Sequence, residues 1–328
     1  MAAVSDLPLT RIVDLRHLRS GDLDPMLEEE TWVWQEKLNW DFRASAGLVR
    51  RFLDMQALNG YALVANSQPV GYCYYVCEEK KGLIGDLYVM KDFLSVDREQ
   101  LLLGAVVDTL VKTPSVHRIE SQLMMLRNNR SIILPQRQSL KVYVRIFMET
   151  ELDAISRLPE RRPSCTVAIE GWTERKQDGS ASLIANAYQG HVDAEINDQY
   201  RSPAGARKFL TNIIQFPGCG SFFQPASFVA IDPVTRKLSG ICLGSLVHND
   251  VGHITQVCVS KSARGTGLGY ELIRRSLEAF AGHGCSNASL TVTATNSDAI
   301  SLYERMGFRQ SRDFVAYVWS DFRPRTGN

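Results

Sequence analysis

The run Arg264-Gly265-Thr266-Gly267-Leu268-Gly269 carries the strongest chemical signal in the chain. It follows a stretch that reads as strand and opens one that reads as helix. Glycines at such a turn let the backbone come close to an anion, and the unpaired N–H groups of the first helical turn point at it. The helix dipole and a nest of N–H groups add a field that favours negative charge. Lys261 and Arg264 bring positive charge to the same place. The run does not end in the Gly-Lys-Ser/Thr of a Walker loop. An antiparallel meander precedes it, where a dinucleotide-binding fold has a βαβ unit. A tight turn without ligand is the alternative reading of the loop taken by itself. Asn296 precedes a short helical stretch and suits the cap position.

The seven cysteines offer little chemistry. Their number is odd, and their spacing is that of neither a disulfide framework nor a zinc site, so no metal is expected. Cys73 and Cys77 fall four apart in a strand-like run and read as small buried apolar residues. Cys219, in Pro217-Gly218-Cys219-Gly220, could form an acyl-enzyme, but no fixed base stands beside it, so it reads as a loop residue.

The elements that must hold the phosphate loop occur twice. Gly82-Leu83-Ile84-Gly85-Asp86-Leu87-Tyr88-Val89 lines up with Gly252-His253-Ile254-Thr255-Gln256-Val257-Cys258-Val259, an offset of 170 residues from Gly82 to Gly252. At the same offset Leu102, Leu103, Val107 and Leu110 fall opposite Leu272, Ile273, Leu277 and Phe280, the apolar stripe of an amphipathic helix. Each half begins with helices: Leu23–Leu38 and Ser45–Leu58 in the first, Ser180–Ile196 and Pro203–Ile214 in the second. A β-meander follows, and in the second half it spans Ser227–Asp232, Leu238–Val247 and His253–Ser260. A helix from Gly267 to Ala281, a strand Ser289–Thr295, a helix Ser297–Arg305 and a strand Phe314–Trp319 complete it. The fold class is α/β (α+β), with each domain a mixed, mostly antiparallel sheet carrying helices on both faces. The division expected is residues 1–155, a proline-bearing linker 156–165, and residues 166–328.

The stretch from Val257 through Gly269 resembles motif A of the GNAT superfamily of acyl-CoA-dependent N-acyltransferases. Asn296-Ser297-Asp298-Ala299-Ile300-Ser301-Leu302-Tyr303-Glu304-Arg305-Met306-Gly307-Phe308 resembles its motif B. The tandem arrangement is similar to that of mycothiol synthase in architecture only. The resemblance implies that acetyl-CoA is the cosubstrate. It places the pyrophosphate on Arg264, Gly265, Thr266, Gly267, Leu268 and Gly269, and the pantetheine arm along Val257, Cys258 and Val259, whose N–H groups polarise the thioester. It makes Tyr303 the acid that protonates the leaving thiolate and gives Asn296 a contact with the cofactor. Many members carry a glutamate base where this chain has His253, so His253 is the base candidate, and His253→Ala should then slow the reaction mainly at neutral pH.

The first half lacks these parts. Leu94-Ser95-Val96-Asp97-Arg98-Glu99 stands opposite the glycine loop, and Asp97 and Glu99 would repel a pyrophosphate. The stretch around Asn128–Val142 has Pro135 and no tyrosine opposite Tyr303. Residues 1–155 therefore read as a degenerate domain without productive CoA binding.

The reading is an N-acetyltransferase acting on a primary amine of a small molecule or peptide. A protein N-terminal or lysine acetyltransferase and a CoA-binding regulatory module without turnover are the alternatives. A net charge of +1 from 37 basic and 36 acidic residues gives no reason to expect nucleic acid as a partner. No apolar run has the length of a membrane span and no secretory signal opens the chain, so a cytoplasmic protein without a membrane partner is expected. A monomer is favoured over a homodimer, because a tandem repeat can satisfy within one chain the contacts a dimer makes between two.

Overall fold

The computed structural model describes residues 10–127, 131–153, 155, 158–216 and 218–322. In chain order the elements are β1 (Thr10–Asp14), α1 (Ser20–Leu38), α2 (Arg43–Asp54), β2 (Asn59–Ala65), β3 (Gln68–Glu78), β4 (Lys81–Val89), α3 (Val96–Lys112), β5 (Arg118–Leu123) and β6 (Leu140–Glu151). Then come β7 (Ala168–Gly171), α4 (Gln177–Ala187), α5 (Asp193–Ile196), α6 (Pro203–Gln215), β8 (Ser221–Phe222), β9 (Phe228–Ile231), β10 (Leu238–His248) and β11 (Val251–Val259). The chain ends with α7 (Leu268–His283), β12 (Asn287–Thr293), α8 (Ser297–Arg305) and β13 (Arg309–Ser320).

Two compact units result, and they are not the contiguous halves 1–155 and 166–328. Unit 1 comprises residues 1–37, 42–143 and 314–328; unit 2 comprises residues 38–41 and 144–313. The difference has a plain origin in strand pairing. The latter part of β6 pairs antiparallel with β12, Arg145 opposite Thr293 and Glu151 opposite Asn287, so it joins unit 2. The latter part of β13 pairs antiparallel with β5, Val315 opposite Leu123 and Ser320 opposite Arg118, so it joins unit 1. Each unit thus receives its last strand from the other part of the sequence, which a boundary read from proline and charge content does not reveal.

Within unit 1 the strands run β1-β2-β3-β4-β5-β13, and α3 covers one face through Leu102, Leu103, Val106, Val107 and Leu110. The helix α1 meets the other face, where Tyr72 and Tyr88 donate to Glu30 and Glu29. Within unit 2 the order is β6-β12-β11-β10-β9-β7, with β8 paired to β10. There α7 and α8 pack on one face through Leu272, Ile273, Leu277, Phe280 and Tyr303. The helices α4 and α6 pack on the other face through Leu183, Ile184, Ala206 and Leu210.

The sequence repeat has a steric cause. A Cβ on Gly82 would sit 2.7 Å from Leu110, and one on Gly252 would sit 2.5 Å from Phe280, the residue at the matching place on the matching helix. Glycine under the helix lets a large apolar side chain lie flat on the strand, so both partners recur together.

Helix α4 stops short of the expected Ser180–Ile196. Gly190 has φ of +76°, and the chain turns before α5 begins at Asp193. The segment 188–193 is therefore a connection, and it proves central to the site.

Candidate active site

The strand pair β11–β12 opens into a cleft. The two run parallel only from Val251–Asn287 to Ile254–Leu290. Beyond that, β11 continues to Val259 and β12 to Thr293. A bulge on β11 helps turn the strand away: Leu243 of β10 faces Gln256 and Gly244 faces Ile254, leaving Thr255 as the extra residue. Thr255 Oγ1 donates to the Leu243 carbonyl at 3.1 Å and holds the bulge. Past it, the edge of Val257, Cys258 and Val259 that faces away from β10 pairs with no described strand, so an extended ligand can add there as a strand would. Val257 and Val259 pack towards α7, and Cys258 packs towards α4 and α6 with its thiol pushed up to about 12 by burial.

The glycine loop leads into α7 as expected. Gly265 and Gly267 have φ of +74° and +86°, a region that other residues enter at a cost, while a Cβ at either would meet nothing within 4 Å. Gly267 occupies the cap position, and no side chain caps the first turn of α7. Its N–H groups are thus left for an anion. The Arg264 Nη2 donates to the Ala187 carbonyl at 2.8 Å, which anchors the guanidinium at the end of α4. The Thr266 hydroxyl turns inward to the Ala263 carbonyl at 2.7 Å. Leu268 is fully buried, so of these two residues the backbone is what faces a ligand.

Tyr303 lies on α8, 7% exposed, with its ring edge-on to Phe308. Burial raises its pKa, followed by the fields of Cys242 and Asp193, and the phenol keeps its proton through the neutral range. Asn296 caps α8 by accepting from the Ala299 N–H at 3.4 Å.

His253 is the expectation that fits least well. Its ring lies between Trp40 and Phe147, at 5.0 and 6.2 Å between centroids, and its Nδ1 is 2.9 Å from Ser289 Oγ. It is 4% exposed, and burial depresses its pKa to about 3. An imidazole that weakly basic, walled off by aromatic rings, is poorly suited to take a proton from an amine. His253→Ala is expected to leave the shape of the pH–rate profile unchanged and to destabilise the fold by ~2–4 kcal/mol through the cavity it creates. Urea unfolding and a pH series of rates on the variant check both halves of that statement.

Several residues that the sequence did not single out gather at the mouth of the cleft. Tyr188 donates to the Val257 carbonyl at 3.3 Å and accepts from Gln256 Nε2 at 2.9 Å, both on β11. Asp193 accepts from Arg145 Nη1 at 2.9 Å and from the Thr293 hydroxyl, at the end of β12. Arg145 also donates to Thr293 Oγ1 at 2.7 Å and to Thr291 Oγ1 at 3.2 Å. His191 lies between them, its Nε2 3.5 Å from the Asn296 amide and its Nδ1 accepting from the Asp193 N–H at 3.1 Å. Tyr200 stacks on Tyr188 at 4.7 Å. The one available signal was Gly190, which interrupts the helix and frees residues 188–193 to reach the cleft. Cys219 is surface-exposed in its loop, and no described residue of this cluster bonds to it.

Unit 1 keeps the frame of such a cleft with different groups at its donors. A bulge places Gly85 as the extra residue, with Tyr74 opposite Asp86 and Tyr75 opposite Ile84, and β4 pairs with β5 only as far as Ile84–Ser121. Here, however, Asp86 Oδ1 accepts from the Leu87 N–H at 2.7 Å, so the strand's own carboxylate occupies the donor that follows the bulge. The N-terminus of α3 is likewise closed: Ser95 caps it by accepting from the Arg98 N–H, and Asp97 and Glu99 stand in its first turn. Asn128, the start of the expected Asn128–Val142 counterpart, lies outside the described residues.

Asp86 and Glu30 form a buried carboxyl pair in unit 1. Burial raises both, Glu30 well above its usual range with the Asp86 charge adding to it, and Asp86 to about 6. Above the ordinary carboxylate range and up to these raised values the unfolded chain is ionised while the folded one still holds protons. Stability is therefore fully present at low pH and falls as pH rises through that window. Asp86→Asn, which keeps the acceptor for Leu87, is expected to raise stability at pH 8 by ~1–3 kcal/mol and to leave it unchanged at pH 4. Equal shifts in the urea midpoint at both pH values would contradict this.

A bulged, splayed β11–β12 pair with an uncapped glycine turn leading into α7 defines a GNAT fold, present twice in this chain, with the helix start left uncapped in the second copy. The sequence profile described as Acetyltransferase (GNAT) family matches residues 193–308 of the chain. An N-alpha-acetyltransferase MAK3 of Arabidopsis thaliana is 32% identical over 107 residues, 30% of this chain and 56% of that protein. A mycothiol acetyltransferase of Mycobacteroides abscessus is 26% identical over 198 residues, 56% of this chain and 61% of that protein. The chain thus spans little more than half the length of these curated relatives. The GCN5-related N-acetyltransferase structure from Sphaerobacter thermophilus superposes over 96% of both chains with a TM-score of 0.61 and 17% identity. A tandem GNAT protein from the clavulanic acid biosynthesis pathway superposes over 94% of this chain and 98% of that one, with a TM-score of 0.57 and 13% identity. These two likenesses show the fold.

Proposed function

We propose that the chain is an acetyl-CoA-dependent N-acetyltransferase with one active site, in unit 2, acting on a primary amine of a small molecule or peptide. The observation that carries this reading is the open N-terminus of α7 beside the free edge of β11. The pyrophosphate is held by backbone N–H groups of Gly265, Gly267, Leu268 and Gly269. The pantetheine arm lies along Val257–Val259, and an N–H of that segment polarises the thioester carbonyl as negative charge develops on it. The amine nitrogen attacks the carbonyl carbon and gives up a proton to solvent, the C–S bond breaks, and the Tyr303 phenol gives its proton to the thiolate and regains one from solvent. Asn296 holds the start of α8 and so the direction of Tyr303. His253 has a packing role in this scheme. The names of the relatives span an N-terminal and a small-molecule acetyltransferase, and both chemistries fit an open cleft mouth.

The test is thiol release from acetyl-CoA in the presence of glucosamine, methylamine and a tetrapeptide with a free amino terminus. Release that depends on one of these amines is expected, at a rate well above hydrolysis. Acetyl-CoA binding without release for any amine would replace the enzyme by a CoA-binding module.

A further inference from the structure

The geometry points to Asp193 as the residue that captures the acceptor as an ammonium ion, which releases one proton to solvent before its nitrogen attacks, and this makes the acceptor class a primary amine that is cationic on arrival. This rests on the transferase reading above and specifies its second substrate.

Residues 188–193 tie together both sides of the cleft. Tyr188 is bonded to Gln256 and Val257 on β11, His191 reaches Asn296 at the start of α8, and Asp193 is bonded to Thr293 at the end of β12. Asp193 therefore stands where the two strands have parted, beside the place where the thioester carbon must lie if the arm follows β11. The two oxygens of its carboxylate have different surroundings. Oδ1 is fully engaged by Arg145 Nη1 at 2.9 Å and by the Thr293 hydroxyl. Oδ2 has His191 Nδ1 at 3.7 Å, beyond hydrogen-bond reach, and no described residue donates to it. Its side chain is 16% exposed and otherwise shielded.

Arg145 does not cancel this charge across the site. The guanidinium is spent on Asp193, Thr291 and Thr293, and its Nε is buried without a partner. The three tyrosines around the cleft register the imbalance. After burial, the Asp193 carboxylate is a leading influence raising Tyr188 and Tyr200, and at Tyr200 and Tyr303 the opposing Arg145 effect is the weaker of the two. A partly shielded carboxylate with one oxygen fixed by an arginine and the other left bare is a rigid ammonium receptor, pre-organised by Arg145 and Thr293.

The experiment compares methylamine, which is cationic at pH 7.5, and glucosamine and the tetrapeptide, which are partly so, with hydroxylamine, which is close to methylamine in size and neutral there, and enzyme-free thiol release is subtracted for each. Thiol release is measured for the wild type, Asp193→Asn and Asp193→Glu, with acetyl-CoA affinity determined for each by calorimetry. The expected result is a wild-type preference for at least one cationic amine over hydroxylamine in kcat/KM. Asp193→Asn should lower that preference on the order of 100-fold, mainly through KM. Asp193→Glu, which keeps the charge, should retain the preference at a reduced rate, and acetyl-CoA affinity should stay within about twofold for both variants. Equal losses for charged and neutral amines in Asp193→Asn would overturn the inference and leave Asp193 a structural role. A wild type that acetylates hydroxylamine alone would overturn it while the transferase stands. A wild type that releases thiol with none of the four would remove the transferase reading and this inference with it.

Discussion

Gly267→Asp should weaken acetyl-CoA binding by about 100-fold or more, close to 2.7 kcal/mol, without loosening the fold. Gly267 caps α7 with φ of +86°, and a Cβ there meets nothing within 4 Å. Aspartate enters that backbone region more readily than most residues, at a strain of about 1 kcal/mol. Its carboxylate would then accept from the first-turn N–H groups as any cap does, which offsets the strain. The same bond fills the anion site and places a like charge against the pyrophosphate. Unit 1 shows the outcome in its own sequence, where Ser95 caps α3 and carboxylates occupy the first turn. Equilibrium dialysis against labelled acetyl-CoA, beside a thermal melt, measures both effects. Unchanged affinity would take the loop out of the binding site, and a large drop in melting temperature would mean the glycine serves the fold.

Tyr303→Phe should reduce kcat by about 100-fold or more and leave acetyl-CoA affinity as it was. Among the described residues the phenol has no hydrogen-bond partner, so removing the hydroxyl breaks no bond, and Phe fills the same buried volume beside Phe308. The variant should therefore fold as well as the wild type. What it loses is the proton that burial keeps on the oxygen, needed when the C–S bond breaks. The loss should fall on kcat, because the donor acts only as the thiolate forms. A rate within threefold of wild type would assign thiolate protonation elsewhere.

The parts of this account that were legible in sequence share one property: they are local. The glycine loop declares itself because positive φ at Gly265 and Gly267 demands glycine in consecutive turns. The repeat declares itself because Gly82 and Leu110, like Gly252 and Phe280, must change together. The place of Val257–Val259 ahead of the glycine loop follows from a motif whose strand and helix are adjacent in the chain, while the splay of β11 from β12 was not foreseen. The acceptor side of the cleft was hidden because it is assembled from distant pieces. Arg145 meets Thr293 across 148 residues, and it stands on a strand that the sequence assigns to the first half. Asp193 and His191 were absorbed into a helix whose interruption at Gly190 gives only a faint signal. The exchange of β6 and β13 between the units has no local signature at all, since strand partners are chosen by burial and edge complementarity. His253 shows the converse failure: its position in the motif suggested a base, while the rings of Trp40 and Phe147 that surround it come from residues far away in sequence.

The central claim is one working acetyl-CoA site per chain, in unit 2, beside a first unit whose equivalent donors are taken by Asp86 and Ser95. Calorimetric titration of acetyl-CoA into the wild-type protein tests it most directly. The account predicts a stoichiometry of one per chain, abolished by Gly267→Asp and untouched by Asp86→Asn. Two sites per chain, or one that survives Gly267→Asp, would contradict it.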